Sequence, residues 1–400
     1  MCVCEINRRS PAAVGVPDGS VRRMAPRLLI ASGIFHPEAG GPATYLYELL
    51  PQLQQHGWDV RAISYGSAPV QQYPYPLSRI PRRALPLRLV DYARTARPLL
   101  QWADLTYVHT LGLPLSGGSA PRVLKIVGDQ AWERSIRRGW IAPTEDIDVF
   151  QTKNYGPLVS LQKLARSREV RQMDYVIVPS VYLKRMVVGW GVAEDRVQVI
   201  YNALPPEQVD TPHTQAEARQ HLQLDDRPFI LTAARLTPWK GVDHLIAALA
   251  QVPDVRLLVA GDGPMRPALE QQVERLHLQD RVRLLGHVPR DQMALYMKAA
   301  DYFALYSGYE GLSHVLLESL RAGTPVIASD KGGNPEVIQH GVNGLLVPYV
   351  DVEALAAALK EALRPGKRDA LAAHAHANME RFNFVHMVEQ TNATLKRLLI

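Results

Sequence analysis

The sequence predicts an α/β protein built from two doubly wound, parallel-sheet domains. Three observations predict it. A length of 400 residues is too great for one hydrophobic core. Short apolar runs alternate with longer stretches of helical periodicity along nearly the whole chain. A Pro-rich, polar stretch from Asn202 to Thr214 divides that alternation into halves.

Four segments follow. Residues 1–24 read as a disordered extension, 25–205 as the first domain, 206–380 as the second and 381–400 as a closing helix. The extension lacks the apolar centre of a secretory signal, and Met24 reads as an alternative start. Both cysteines, Cys2 and Cys4, fall inside it, so neither a disulfide framework nor a cysteine metal cluster is expected, and a reducing, cytoplasmic setting is. No run reaches the roughly eighteen apolar residues of a membrane span.

In the first half, Arg27 to Ser32 reads as a buried strand. It leads through Gly40-Gly41 and Pro42 into a helix with an apolar stripe at Leu46, Leu49, Leu50 and Leu53. The unit lacks G-x-G-x-x-G, which argues against a dinucleotide site. The glycine pair is either a connector or a phosphate contact. Further strands are expected at Trp58–Ser64, Leu105–Val108, Arg122–Val127, Asp174–Pro179 and Gln198–Ile200. Two of them end in polar side chains, His109 and Asp129, and Asp129 is the better placed because it follows Gly128 at a strand tip.

Charge is uneven. Residues 1–205 hold 25 Lys and Arg against 16 Asp and Glu, whereas residues 206–400 hold 20 against 23. The excess concentrates between residues 66 and 103, where Arg79, Arg82, Arg83, Arg88, Arg94 and Arg97 alternate with Leu85, Leu87, Val90 and other apolar residues. This stretch is either a solvated helix or a surface for an anionic membrane. No nucleic-acid fold signature accompanies it, so nucleic acid is not expected as a partner.

The second half alternates more regularly. Strands are expected at Phe229–Ala234, Val255–Ala260, Val282–Leu285, 300–306, Pro325–Ala328 and Gly344–Val347, a second Rossmann-like sheet. Helices follow at His314–Arg321, Val352–Leu363, Arg368–Glu380 and Val385–Leu399. The loops after the strands carry the chemistry. Arg235 and Lys240 can converge on an anion, one as a fork and the other as a point charge. Gly261 and Gly263 leave room for close backbone approach, and Gly286 to Val288 present backbone groups to a planar base. The helix starting near Ser313-His314 offers free N–H groups to a phosphate. Glu310 stands at the loop apex, where a carboxylate can meet a sugar, and Glu318 lies two turns down the helix, where it can accept from a ribose. Together they describe a nucleotide-diphosphate-sugar site.

The order Arg235-x4-Lys240-Gly241, Gly261-x-Gly263-Pro264, Gly286-x-Val288, Glu310-x7-Glu318 and Gly332-Gly333-x-Pro335-Glu336 resembles glycosyltransferase family 4. The resemblance spans about residue 25 to the C-terminus. It implies a GT-B fold and a retaining, metal-independent hexosyltransferase that needs no cofactor. It implies that Arg235 and Lys240 hold and stabilise the donor diphosphate in place of a metal. Glu318 would bind the ribose, while Glu310 and the backbone of Gly311, Leu312 and Ser313 would contact the donor sugar. Gly41 would approach the phosphates as the cleft closes, and the last helix would cross back to the first domain. The sequence departs from the family where a histidine often stands near the sugar; KIVGD puts Asp129 there, so Asp129 is the first domain's expected catalytic contribution. The expected acceptor is a glycan or lipid-linked glycan, at the inner face of a membrane. A GT-B phosphorylase, an epimerase and an inactive sugar-nucleotide-binding module are the alternatives.

Overall fold

The central strands of both sheets form from runs that are buried on both faces, Arg27–Ser32, Leu105–Val108 and Tyr175–Val178 in one sheet and Phe229–Ala233, Tyr302–Leu305 and Val326–Ser329 in the other. The computed structural model describes residues 25–38, 40–67, 72–205 and 211–399. The expected extension at 1–24 and the middle of the linker, 206–210, lie outside the described residues.

Seven strands make the first sheet: β1 (Arg27–Ser32), β2 (Asp59–Tyr65), β3 (Leu77–Ile80), β4 (Leu105–Val108), β5 (Arg122–Lys125), β6 (Tyr175–Val178) and β7 (Val197–Val199). Their spatial order is β3-β2-β1-β4-β5-β6-β7. Six make the second: β8 (Phe229–Ala233), β9 (Arg256–Ala260), β10 (Val282–Gly286), β11 (Tyr302–Leu305), β12 (Val326–Ser329) and β13 (Gly344–Val347). These run β10-β9-β8-β11-β12-β13. The strands pair in parallel throughout. Each order reverses once, between β1 and β4 and between β8 and β11. A doubly wound sheet opens its ligand crevice at the carboxyl side of such a switch point.

Strand periodicity of two distributes side chains to opposite cores. Tyr302 and Ala304 enter one core of the second domain, while Phe303 and Leu305 enter the other. In the first domain Leu28 and Ile30 part from Leu29 and Ala31 in the same way. Covering both faces of a parallel sheet is what these continuous apolar runs require.

Three expectations change. The basic stretch contains β3, concealed among prolines because an edge strand tolerates them next to it. The strand expected to reach Val127 ends its regular pairing at Lys125. The helix expected over Arg368–Glu380 breaks into a helix at Lys367–Ala372 and a 3-10 turn at Met379–Phe382, separated by turns in which Asn378 is left-handed (φ 59°). Asparagine adopts that conformation more readily than most residues.

The chain then returns to the first domain. Helix Phe384–Arg397 places Met387, Val388 and Leu395 in the same core as Leu28 and Ile30. The Trp58 indole donates to Asn392 at 2.9 Å and Lys396 donates to the His56 carbonyl at 3.0 Å. Among the described residues, no helix is long and apolar enough to cross a membrane.

Candidate active site

The two crevices face one another around a cavity of about 370 Å³. The second domain contributes Arg235, which follows β8, then Lys240 and the loop Glu310–Val315 after β11. The first domain contributes Gly41, Pro42 and Tyr45 from helix Gly41–Gln55, with His109 beyond β4, Lys125 at the end of β5, and Asn202.

Local chain geometry explains how the second-domain residues are aimed. Lys240 ends a 3-10 turn, Pro238–Lys240, and Gly241 follows in the left-handed region at φ 63°. A Cβ at Gly241 would lie 2.0 Å from the Tyr306 carbonyl oxygen, so only glycine lets this turn lie against β11. The Lys240 ammonium therefore reaches Glu310 at 2.5 Å, with both side chains largely buried. Gly332 and Gly333 support the Glu310 loop from behind, where added Cβ atoms would meet the carbonyl oxygens of Glu310 and Gly311 at 2.3 and 2.4 Å. Ser313 begins helix His314–Arg321 without a side-chain cap, so the helix start keeps free N–H groups beside the cavity. Arg235 is exposed at the rim, and among the described residues it has no carboxylate partner.

Arg235, Lys240, Glu310, Gly311, Leu312, Ser313 and Gly41 thus share one cavity. Glu318, Gly263 and Val288 stand outside its lining. Burial pushes the Glu318 carboxyl above its usual range, with Arg290 nearby opposing the shift. Gly263 is close to backbone as expected, but to the protein's own: its Cβ would fall 2.5 Å from the Leu236 carbonyl oxygen.

Asp129 is the principal correction. Its carboxylate caps helix Gln130–Arg137, accepting from Ala131 N at 2.9 Å, and it pairs at 2.5 Å with Arg166. Both partners are buried, Gln151 also donates to the carboxylate, and Asp129 does not line the cavity. This arrangement gives it a structural task. Asp129→Asn keeps the cap but leaves Arg166 as a buried, uncompensated cation, at an expected cost of about 3 kcal/mol or more. Urea unfolding checks the loss; unchanged stability with turnover reduced a hundredfold would return Asp129 to the chemistry.

Lys125, Tyr45 and Asn202 line the cavity without having been singled out in the sequence. A lysine inside the apolar run RVLKIV was the available signal for Lys125, because lysine is almost never fully buried without a partner. Burial pushes its ammonium down to about 7. His109 is neutral, held well below the usual imidazole range by burial and then by the charge of Lys125. His314 is pushed down to about 4 by burial, with Lys125 and Arg290 adding to the shift. Glu133, on helix Gln130–Arg137, is coupled electrostatically to Lys240 and Glu310, yet lies outside the cavity lining. Among the described residues, no group of three or more His, Cys, Asp and Glu side chains is arranged to hold a metal.

The cavity is closed by direct contact between domains. Trp132 of the first domain meets Trp239 and Tyr309 of the second edge-on, at 5.5 and 5.8 Å. The Asn202 amide donates to the Leu312 carbonyl at 3.1 Å. Glu336 accepts from Val181 N and Tyr182 N, capping a helix of the opposite domain.

Two doubly wound sheets that face each other across a cation-lined cleft define the GT-B architecture. A family model described as "Glycosyl transferases group 1" matches residues 214–377, and one described as "Glycosyltransferase Family 4" matches residues 39–208. The chain belongs to glycosyltransferase family 4. It is 28% identical over 364 residues to the GDP-mannose-dependent alpha-(1-6)-phosphatidylinositol monomannoside mannosyltransferase of Mycolicibacterium smegmatis, covering 86% of this chain and 91% of that protein. Two other curated glycosyltransferases, 36% and 33% identical, are matched over only about half of their own length, 50% and 44%. Among solved structures, sucrose-phosphate synthase from Thermosynechococcus elongatus superposes with a TM-score of 0.77 at 23% identity, covering 93% of this chain and 99% of that one. The Anabaena HepE complex with UDP-glucose gives 0.75 at 22% identity, with the same coverage.

Proposed function

We propose that the protein is a retaining glycosyltransferase that moves a hexosyl group from a nucleotide-diphosphate sugar to an acceptor hydroxyl, without a metal. The observation that carries this reading is the convergence of Arg235, Lys240, Glu310 and the start of helix His314–Arg321 on one cavity. Arg235 and Lys240 supply fixed positive charge opposite the negative charge that develops on a departing diphosphate, and the helix start adds oriented N–H donors. Glu310 and the backbone of Gly311 to Ser313 face the transferred sugar, Gly41 approaches the phosphates, and Glu318 serves the ribose. HepE, crystallised with UDP-glucose, and the mannosyltransferase named for GDP-mannose support a nucleotide-sugar donor here.

Retention through a covalent intermediate would need a second carboxylate at the sugar. Glu310 is the only carboxylate among the described residues that line the cavity, and Lys240 already engages it. A same-face displacement fits better. The bond from the anomeric carbon to the phosphate oxygen breaks, the acceptor oxygen bonds to the same face, and its proton passes to the leaving phosphate.

The acceptor lies on the first-domain side, in polysaccharide, lipopolysaccharide or glycolipid synthesis at the inner face of a membrane. Helix Leu85–Trp102 supports a peripheral contact, because Leu85, Leu87 and Val90 are exposed near exposed Arg94 and Arg97. A thermal-shift panel of UDP-, GDP- and ADP-sugars, followed by assay of free nucleotide with and without acceptor, tests the reading. Acceptor-dependent release is expected. Release that requires inorganic phosphate, no release of nucleotide, or binding without turnover would point instead to a phosphorylase, an epimerase or an inactive module.

A further inference from the structure

Lys125 is an anomaly that the proposed transfer does not use. It belongs to β5, in the interior of the first sheet, and its side chain is 2% exposed. A lysine ammonium has three hydrogens to donate. Here it has one long contact, to the Ile200 carbonyl at 3.3 Å, and it stands over the Tyr45 ring at 4.7 Å. Among the described residues no carboxylate pairs with it. Beside it His109, which lines the same cavity, is buried and neutral, and its buried Nε2 has no hydrogen-bond partner. A buried ring nitrogen without a partner beside a buried ammonium with one long hydrogen bond is costly unless something that binds at this wall of the cavity completes their partners.

Their position identifies the part of the ligand they would meet. Val127, two residues past Lys125, touches Gly311 through its carbonyl, since a Cβ at Gly311 would lie only 2.2 Å away. Asn202, two residues past the carbonyl that receives Lys125, donates to Leu312. The lysine is therefore tied on both sides to the loop that faces the transferred sugar, whereas Arg235 and Lys240 approach from the second domain.

We propose that Lys125, with His109 beside it, forms a subsite for an anionic oxygen group, a carboxylate or phosphate, carried by the transferred sugar or by the acceptor. The inference rests on the nucleotide-sugar reading above and deepens it: the enzyme would select a charged sugar partner over its neutral counterpart. A neutral hexose offers only hydroxyls, which leave a buried ammonium without a counter-charge.

Calorimetry on the full chain tests it, using the nucleotide that the thermal-shift panel selects. The donor arm compares the nucleoside diphosphate, its neutral hexose and its hexuronate; the acceptor arm compares glucose with glucose 6-phosphate in the presence of the nucleoside diphosphate. Wild type is expected to prefer the charged member at least tenfold in one arm, and that arm names the source of the anion. In Lys125→Met the preference should fall below twofold while affinity for the nucleoside diphosphate stays within twofold, which also reports that the variant is folded. Equal affinities within both arms, or a preference that survives in the variant, overturn the proposal. A tenfold loss of affinity for the nucleoside diphosphate itself in Lys125→Met would do so too, by assigning the lysine to the phosphates. Failure of wild type to bind any nucleoside diphosphate would instead sink the reading on which the subsite rests.

Discussion

Lys240→Ala is expected to lower turnover by roughly 10²- to 10³-fold, the usual cost of deleting one preorganised donor to developing negative charge, or about 3–4 kcal/mol. The ammonium has two tasks. It holds the Glu310 carboxylate at 2.5 Å, and it lines the cavity from the same side as Arg235. Alanine removes the charge that the proposed mechanism sets opposite the leaving diphosphate and releases the Glu310 carboxylate from its fixed position. Because the pair is largely but not fully withdrawn from solvent, unfolding stability should fall by less than the 3–5 kcal/mol typical of a broken buried pair. Steady-state kinetics beside a thermal melt separate the effects. Near-wild-type turnover in a folded variant would remove Lys240 from the mechanism.

The second large effect is expected from Gly311→Ala, a change of one methyl group. The added Cβ would sit 2.2 Å from the Val127 carbonyl oxygen and near Pro179, both across the domain boundary. Neither neighbour is the end of a flexible side chain, so the accommodation must come from the two domains parting. Parting would separate Arg235, Lys240 and Glu310 from the first-domain wall, and misplacement by about 1 Å costs on the order of 10²-fold in rate. The cluster that includes Trp132, Trp239 and Tyr309 spans the boundary while the other cores do not, so a loss of kcat/KM of that order is expected with a smaller change in melting. Small-angle scattering should show a larger radius of gyration. Wild-type kinetics in the variant would show that this closed arrangement is not the one in which the reaction occurs. Gly41 offers the contrast, since among the described residues a Cβ there meets nothing within 4 Å beyond its own helix.

Much of this architecture was legible in the chain itself. Helix His314–Arg321 and strands Leu105–Val108 and Gly344–Val347 have the bounds that periodicity and punctuation indicate, and Arg235, Lys240, Glu310, Gly311, Leu312 and Ser313 do share a cavity. These features are local. A strand's alternation, a glycine after a helix and a charged residue after an apolar run act within about ten residues, and the parallel sheet gathers successive strand ends at one edge.

The first-domain wall was not legible in that way. Asp129 and Lys125 lie four residues apart at one strand end, and the pattern singled out the carboxylate while passing over the lysine. Folding sets them apart: Arg166, 37 residues further along the chain, takes the carboxylate, while among the described residues no carboxylate pairs with the lysine. Glu336 likewise belongs to a motif whose purpose emerges only across 155 residues, at the start of a helix in the other domain. The two sheets and the loops that line the cavity follow from the chain alone, because short-range sterics and hydrophobic periodicity specify them. Which polar side chains are neutralised and which are left bare in the cleft was decided by tertiary structure, because burial and long-range pairing set the energy of a charge.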